Sequence, residues 1–562
     1  MRILLVYRPH PEGARDPFTS LMPTGLGYVN GVLRENGFES RLANLSGVSW
    51  REVEEFLRRE RPDVLGISVF THNRFESLRL AALAKKIDPA CVIVLGGPHA
   101  THSFETILAK HREVDAVVLG EGEETFLALV RALECRGNLA GIDGLAVRQG
   151  SGVIHSQRSP ITDLDALPPP VRYMDDAWGC DIRRQLEFII TSRGCPAACR
   201  FCSSPRFWGA GLRFRSPRSM VDEIRTIRDR YGLIYFSLRD DTFTVRKDRV
   251  IEFCKLLLKE KVYILWNCQS RVNAVDEEML LWMRRAGCEC VQYGVESGAE
   301  RILTRLGKRI TPQQVRTAAG ATRRAGINLS IYLITGVPGE TDEDVDATLR
   351  LVNEIRPHDG QVAPLAYYPG TAIFDEAVRL GKVAADLFER DHGEAQYVRS
   401  DPFVARSGET LLRALTRVGM KARFTQADFA AQRELLGYCH GTNLAQGEWL
   451  EDKGREGKAA DLYREIVERE PENPWGWLAQ GGLFGLQGDV KSAKEAFSRV
   501  LSIVPGYVPA HLALGDLCLE LGDRNGAHRW YVAARGLNPY DPLVEERLKS
   551  VSKRPGKKKG GP

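Results

Sequence analysis

The first 150 residues alternate short aliphatic runs with amphipathic stretches, a pattern that few architectures accommodate. The runs cover residues 3–7, 64–69, 92–95 and 114–119, and their Val, Ile and Leu residues are continuous rather than alternating. Between them, residues 26–36, 50–59, 77–87 and 123–133 carry apolar side chains at helical spacing. A strand that is apolar on both faces must be covered on both, so such strands separated by helices imply a parallel sheet between helical layers. Residues 1–150 are therefore expected to form a doubly wound, Rossmann-like α/β domain.

Pro168, Pro169 and Pro170 mark residues 151–180 as a linker, since consecutive prolines neither continue a helix nor pair in a central strand. A second strand–helix series follows, with strands expected at 187–191, 233–238, 263–269, 290–295, 330–335 and 361–366. Six such units fall short of the eight units and roughly 250 residues of a closed barrel, so residues 181–385 read as an open, partial (β/α)6 barrel. Residues 386–440 read as a helical connector. Across 441–550, Pro471, Pro505 and Pro539 stand 34 apart, as do Gly454, Gly488 and Gly522, then Ala459, Ala493 and Ala527, and the aromatics Tyr463, Phe497 and Tyr531. That period is the signature of an all-α tetratricopeptide array, whose surface would suit a protein partner. Residues 551–562 form a basic tail.

A formal charge of +5 over 562 residues leaves no clustered footprint for nucleic acid. No stretch approaches the roughly 20 apolar residues of a membrane span, and the opening run is too short for a secretory signal. The chain is expected to be cytoplasmic, which makes its twelve cysteines core residues and metal ligands rather than disulfides.

Directly after a strand comes Thr191-Ser192-Arg193-Gly194-Cys195-Pro196-Ala197-Ala198-Cys199-Arg200-Phe201-Cys202. Three thiolates at C-x3-C-x2-C spacing suit a soft metal or an iron–sulfur cluster. A zinc loop is the alternative, although structural zinc takes four ligands and no fourth follows at a usual spacing. Asp241, in Arg239-Asp240-Asp241-Thr242-Phe243, is a candidate lumen acceptor or a plain cap. Asn267, Gln269 and Arg271 alternate on one strand and share a face, with Arg271 a candidate clamp for a carboxylate or an exposed strand end.

The cysteine spacing at the end of a first barrel strand resembles the radical S-adenosylmethionine (SAM) superfamily. So do Tyr293-Gly294-Val295-Glu296-Ser297-Gly298, Thr335-Gly336-Val337-Pro338-Gly339-Glu340-Thr341 and Tyr367-Tyr368-Pro369-Gly370-Thr371. The resemblance implies that Cys195, Cys199 and Cys202 bind three irons of a 4Fe-4S cluster, leaving the fourth to SAM. It further implies that Glu296, Ser297, Gly336, Pro338 and Gly339 contact SAM, and that a donor such as flavodoxin or ferredoxin supplies the electron that cleaves it.

The amino-terminal layout resembles the cobalamin-binding domain that precedes the radical domain in one class of these enzymes. Gly96-Gly97-Pro98-His99 and Gly120-Glu121-Gly122-Glu123 carry the likeness, which makes Gly96, Gly97, Gly120 and Glu121 cofactor contacts. His10 and Gly13 keep the spacing of a cobalt-ligating motif, but Arg8 stands where that motif has aspartate, which favours a lower cobalt face without histidine. The implied chemistry is methylation of an unactivated carbon of a small molecule; cyclisation or rearrangement, for example of a tetrapyrrole, is the alternative. A non-catalytic assembly protein is a third class, disfavoured by the intact triad.

Overall fold

The computed structural model describes residues 1–9, 21–209, 211–390 and 397–552. Its first sheet contains β1 (Arg2–Tyr7), β2 (Glu39–Asn44), β3 (Val64–Ser68), β4 (Val92–Gly96), β5 (Ala116–Val118), β6 (Leu145–Gln149) and β7 (Gly152–His155). Five strands run parallel in the order β2-β1-β3-β4-β5, and the antiparallel hairpin β6–β7 extends the edge beside β5. Helices α1 (Thr24–Glu35), α2 (Trp50–Glu60), α3 (Arg74–Ile87), α4 (Pro98–Lys110) and α5 (Glu123–Glu134) cover it. The pleat sorts β1 between two cores: Ile3 and Leu5 pack with residues of α1 and α5, Leu4 and Val6 with those of α2, α3 and α4.

The aliphatic runs do not disclose β2 or the hairpin. β2 is an edge strand that leaves Glu39 and Arg41 in solvent, so its sequence reads as polar. The sheet also continues past residue 150, because β7 pairs with β6 as far as His155 opposite Ala146. Nor is the region up to residue 180 an extended linker: Val171, Met174, Ala177 and Cys180 are at most 5% exposed. A Cβ on Gly27 or Gly31 of α1 would meet Pro170 or Pro168 at 2.9 and 3.0 Å, so the prolines lie against the helix.

Next come α6 (Ile182–Leu186), β8 (Phe188–Ile189), and the small antiparallel pair β9 (Ser192–Arg193) and β10 (Arg213–Phe214), with α7 (Ser204–Trp208) between the two. Then α8 (Pro217–Tyr231), α9 (Lys247–Lys259), α10 (Glu277–Arg285), α11 (Glu300–Arg305), α12 (Pro312–Arg324) and α13 (Asp342–Ile355) alternate with strands β11 (Tyr235–Leu238), β12 (Leu265–Ser270), β13 (Cys288–Glu296), β14 (Asn328–Thr335) and β15 (Asp359–Pro364). β8 and β11 to β15 form a six-stranded parallel sheet in chain order. Val291, Tyr293, Leu329 and Ile331 are buried, at 2% or less, in the core shared with the helices. Their alternates Gln269, Gln292, Tyr332 and Gln361 remain half-buried or exposed, so the other face is polar, although Asn267 and Ser330 on it are buried and Leu265 packs against the apolar cluster of helices His440–Glu451 and Glu456–Arg469.

After α14 (Ala372–Arg379), α15 (Pro402–Gly419) packs Leu411 and Leu415 into this core. Helices α16 (Gln426–Leu436), α17 (His440–Glu451), α18 (Glu456–Arg469), α19 (Pro474–Leu486), α20 (Val490–Ile503), α21 (Val508–Glu520), α22 (Arg524–Leu537) and α23 (Pro542–Ser552) follow. From α18 onward, alternate helices begin 34 residues apart. A Cβ on Gly447, Gly481 or Gly515 would meet the ring of Tyr463, Phe497 or Tyr531 at 2.2, 2.8 and 2.2 Å; each small residue admits the aromatic of the next helix.

The helices are fastened to the second sheet's surround. Arg183 donates to the carbonyls of Gly506 (2.7 Å) and Leu537 (3.3 Å), and a Cβ on Gly232 would lie 2.1 Å from the Gly506 carbonyl carbon. Among the described residues no disulfide is formed, and no helix is long and apolar enough to cross a membrane.

Candidate active site

The three cysteines lie on one loop directly after β9. Gly194 opens it at φ +94°, where a Cβ would strike the Gly211 carbonyl oxygen at 2.6 Å. Cys199 is 9% exposed, and Cys195 and Cys202 are half-buried. Asp240, 1% exposed, anchors the strand below by accepting the amides of Thr191 (2.6 Å) and Ser192 (3.1 Å) and both hydroxyls. Arg249 donates to the Thr191 carbonyl at 2.8 Å. On the far side the Arg200 amide donates to the Leu306 carbonyl at 2.8 Å.

The loop is therefore braced before any metal is considered. Burial pushes the Cys202 thiol up to about 12, with Asp241 and the other two sulfurs adding to the rise. A soft cationic group taking the sulfurs as thiolates would offset that repulsion. Among the described residues no three His, Cys, Asp or Glu side chains converge on a single ion. A four-iron cube, which gives each cysteine its own iron, asks for no such convergence.

The structure divides the Asp240–Asp241 pair. Asp240, which sequence reasoning passed over, is the positioning carboxylate; Asp241 borders the main cleft and accepts from the Ser204 hydroxyl. Burial raises its carboxyl above the ordinary range, and Asp240 adds to that against the Ser204 bond.

Arg271 departs from its expected part. Its fork is occupied: Nη1 donates to Cys199 Sγ at 3.5 Å, Nη2 to the Lys308 carbonyl at 2.6 Å, and Nε to Asn273 at 3.4 Å. It supports a cysteine sulfur, and each of its three nitrogens already donates within the protein.

At the end of β13 the register against β14 shifts between Gly294 and Glu296, and Glu296 takes φ +68°. Its carboxylate accepts from Lys308 Nζ at 2.6 Å, both side chains being 7% exposed or less. A Cβ on Gly294 would fall 2.5 Å from Glu296 Oε1 and 2.6 Å from Lys308 Nζ, so that glycine makes room for the pair. Ser297 is 1% exposed; its hydroxyl accepts the Ala299 amide at 3.1 Å and lies 3.2 Å from Thr348 Oγ1. It is held toward α13 rather than toward an open site. In the neighbouring turn Gly336 (φ +79°) donates its amide to Glu340 at 2.6 Å, and Gly339 (φ +84°), beside Pro338, leaves open space.

A cleft of about 1350 Å³, open mouth included, separates the carboxyl ends of the first sheet from the cysteine loop. The part of it that a water-sized molecule can occupy is about 380 Å³, inside the ~300–1,000 Å³ of ordinary small-molecule pockets. Its position, outside strand ends where the order reverses between β1 and β3, is where open α/β sheets bind ligands. Gly25, Gly96, Gly97 and Gly120 line one side; Cys202, Phe207, Trp208 and Asp241 line the other. At Gly25 no atom lies within 4 Å of a would-be Cβ, and at Gly96 the first is at 3.8 Å, so these two leave space for a flat group. Gly97 is a backbone requirement instead, with φ +95° and Val69 oxygen 2.9 Å from its would-be Cβ.

Glu121 borders the cleft but is not free to bind a cofactor. Its side chain, 1% exposed, accepts from Arg193 (2.6 Å), Arg213 (2.5 Å) and Arg158. Arg193 also holds Glu123 at 2.5 Å, so the TSRGC segment is pinned to the first sheet's loops. Arg8 is fully buried, donating to the Leu45 and Val48 carbonyls and pairing with Glu76 at 3.3 Å. His10 and Gly13 lie outside the described residues.

Comparison with known proteins agrees with this division. The radical SAM superfamily matches residues 189–352 and the B12 binding domain matches residues 18–130. A protein named as an uncharacterized methyltransferase in Pyrococcus horikoshii is 32% identical over 388 residues, which is 67% of this chain and 83% of that one. The chain belongs to the radical SAM superfamily. It is a radical SAM enzyme with a B12-binding domain, and that membership brings a 4Fe-4S cluster, SAM and cobalamin. An anaerobic magnesium-protoporphyrin IX monomethyl ester cyclase of Rubrivivax gelatinosus is 28% identical over 464 residues, covering 78% of this chain and 81% of that one. In fold, the chain is similar to the radical SAM methyltransferase TsrM of Kitasatospora setae, with TM-score 0.58, 17% identity, and coverage of 83% of this chain and 99% of that one. It is also similar to the cobalamin-dependent radical enzyme OxsB, with TM-score 0.53, 18% identity, and coverage of 98% and 83%.

Proposed function

We propose that the chain is a cobalamin-dependent methyltransferase acting on an unactivated carbon of a small molecule or natural product. The observation that carries the reading is that the cysteine loop and the glycine-lined strand ends open on one cleft. When bound, the cluster supplies the electron that cleaves SAM, and cobalamin supplies the methyl group. Cys195, Cys199 and Cys202 hold the cluster; Arg271 donates to the Cys199 sulfur, an interaction that tunes iron–sulfur ligands. The Glu296–Lys308 pair at the end of β13 and the Gly336–Gly339 turn after the adjacent β14 offer charge and open backbone to SAM. Gly96, Gly97 and Gly120 would border cobalamin from the first sheet's side of the cleft, while Asp241 presents an acceptor at the cleft wall. A flavodoxin or ferredoxin supplies electrons from outside.

The second sheet, parallel and in chain order with one polar face, fits a partial (β/α)6 barrel whose lumen is that face. The 34-residue helix pairs, with their glycine–aromatic contacts, fit tetratricopeptide repeats that recruit a partner. The extent of the cyclase likeness favours radical cyclisation as the second reading. Anaerobic reconstitution tests the first: the protein should carry four irons, release 5′-deoxyadenosine with dithionite, and pass label from methyl-labelled SAM to product. Product formed without label would favour cyclisation. A triple Cys195→Ala, Cys199→Ala, Cys202→Ala variant that still released 5′-deoxyadenosine would overturn the ligand assignment.

A further inference from the structure

The polar face of the second sheet is not a random surface. The register sets Gln269 beside Gln292, Gln292 beside Ser330 and Ser330 beside Asp359. Leu238 pairs with Cys268, so Arg239, the next residue, falls beside Gln269 at the head of the same rung. Parallel sheets are ordinarily covered on both faces. A face that presents a row of hydrogen-bonding groups instead is built to meet a polar occupant.

Arg239 differs from the arginines around it. Arg193, Arg213 and Arg215 each hold a carboxylate, and Arg249 and Arg271 hold backbone carbonyls. Half-buried Arg239 has, among the described residues, no carboxylate partner: it rests 5.0 Å from the Phe188 ring centre and donates to Gln292 Oε1 at 3.4 Å. The Tyr332 hydroxyl donates to that same oxygen at 2.8 Å, which fixes which end of the amide is the acceptor and makes the other end, its nitrogen, a donor. A partly desolvated cation beside an oriented amide is costly to keep unless an anion completes it.

We propose, resting on the reading that this face receives the substrate, that Arg239 and Gln292 bind an oxyanion of that substrate, a carboxylate or a phosphate. The guanidinium fork matches both groups. Because Arg239 directly precedes Asp240 and Asp241, the anchored group is held two residues from the cleft wall, and the length between the anion and the reacting carbon becomes a selection rule. Arg239 is a specificity-determining residue for substrate, separate from the residues given to SAM.

Arginine labelling by phenylglyoxal, located by peptide mass spectrometry in the anaerobically reconstituted full-length protein, tests this with propionate, inorganic phosphate and SAM as probes. Exposed Arg246 is the internal reference. A probe at ten times its dissociation constant should slow Arg239 labelling roughly tenfold while Arg246 is unchanged. Stronger protection by propionate assigns a carboxylate substrate and stronger protection by phosphate a phosphoryl one; either supports the proposal. Protection by SAM alone would give Arg239 to the cofactor and overturn it, as would protection by none. Wild-type enzyme that released no 5′-deoxyadenosine would sink the radical reading without changing the labelling result, so the two failures stay distinguishable.

Discussion

Replacing Glu121 by alanine should loosen the joint between the two sheets. The carboxylate is 1% exposed and serves three guanidiniums, Arg158, Arg193 and Arg213, that are themselves 10% exposed or less. Burial, then repulsion from Arg213 and Arg193, already holds Arg158 down at about 10, so the cluster carries surplus positive charge and has no carboxylate to spare. Deleting one partner of a buried pair costs about 3–5 kcal/mol, because the charge left behind stays desolvated. At roughly 2–4 °C per kcal/mol for units of this size, the melting temperature should fall by about 6–20 °C. Scanning calorimetry on anaerobic protein reads this, with Glu121→Gln, which keeps an acceptor, falling less. In the double variant with Arg193→Met, one stranded cation is gone, and the combined loss should be smaller than the sum of the single losses. A Glu121→Ala protein melting within about 2 °C of wild type, or strict additivity in the double variant, would refute the argument.

Asp240→Asn should lower iron content after reconstitution, since the amide cannot accept all four bonds from Thr191 and Ser192; Asp241→Asn should retain iron, and equal iron in both variants would remove the distinction. Gly25→Trp should release cobalamin, read by absorbance, with little change in melting, because the open space at Gly25 belongs to the cleft. Glu187 predicts a pH effect: burial, then Asp181, pushes its carboxyl up to about 7. The native state therefore binds more protons than the unfolded one between about pH 4.5 and 7, and stability falls as pH rises through that window. Glu187→Gln should stabilise the protein at pH 8, by up to about 3 kcal/mol, and leave it unchanged at pH 4; no difference at pH 8 would contradict the assignment.

The sequence disclosed what burial writes into residue type. Strands enclosed on both faces read as unbroken aliphatic runs, and interlocking helices read as columns 34 apart, although the columns at Gly447, Gly481 and Gly515 went unnoticed. The cysteine spacing was legible because a loop of eight residues carries all three ligands. Choices that depend on geometry were not. Asp240 and Asp241 are chemically identical neighbours, and only the end of β11 decides which turns inward. Lys308 reaches Glu296 across a helix and a turn, with Gly294 as the sole local trace. Glu121 looked like a cofactor contact because its role depends on Arg193, 72 residues away. β2 was hidden because an edge strand keeps polar residues on its open side.

The meeting of Gly232 with Gly506 limits how such a chain can lengthen. The two backbones approach so closely that Gly232 has no room for a methyl group and Gly506 only a tight fit for one, and Arg183 bridges from Gly506 to the Leu537 carbonyl. Splicing an extra 34-residue unit ahead of position 506 would carry the matching glycine a full step away from its seat. Units added beyond residue 537 would leave the Gly232–Gly506 contact and the Arg183 bonds in place. Growth of the helical arm is thus permitted at one end only, like a measuring rod clamped at its zero mark.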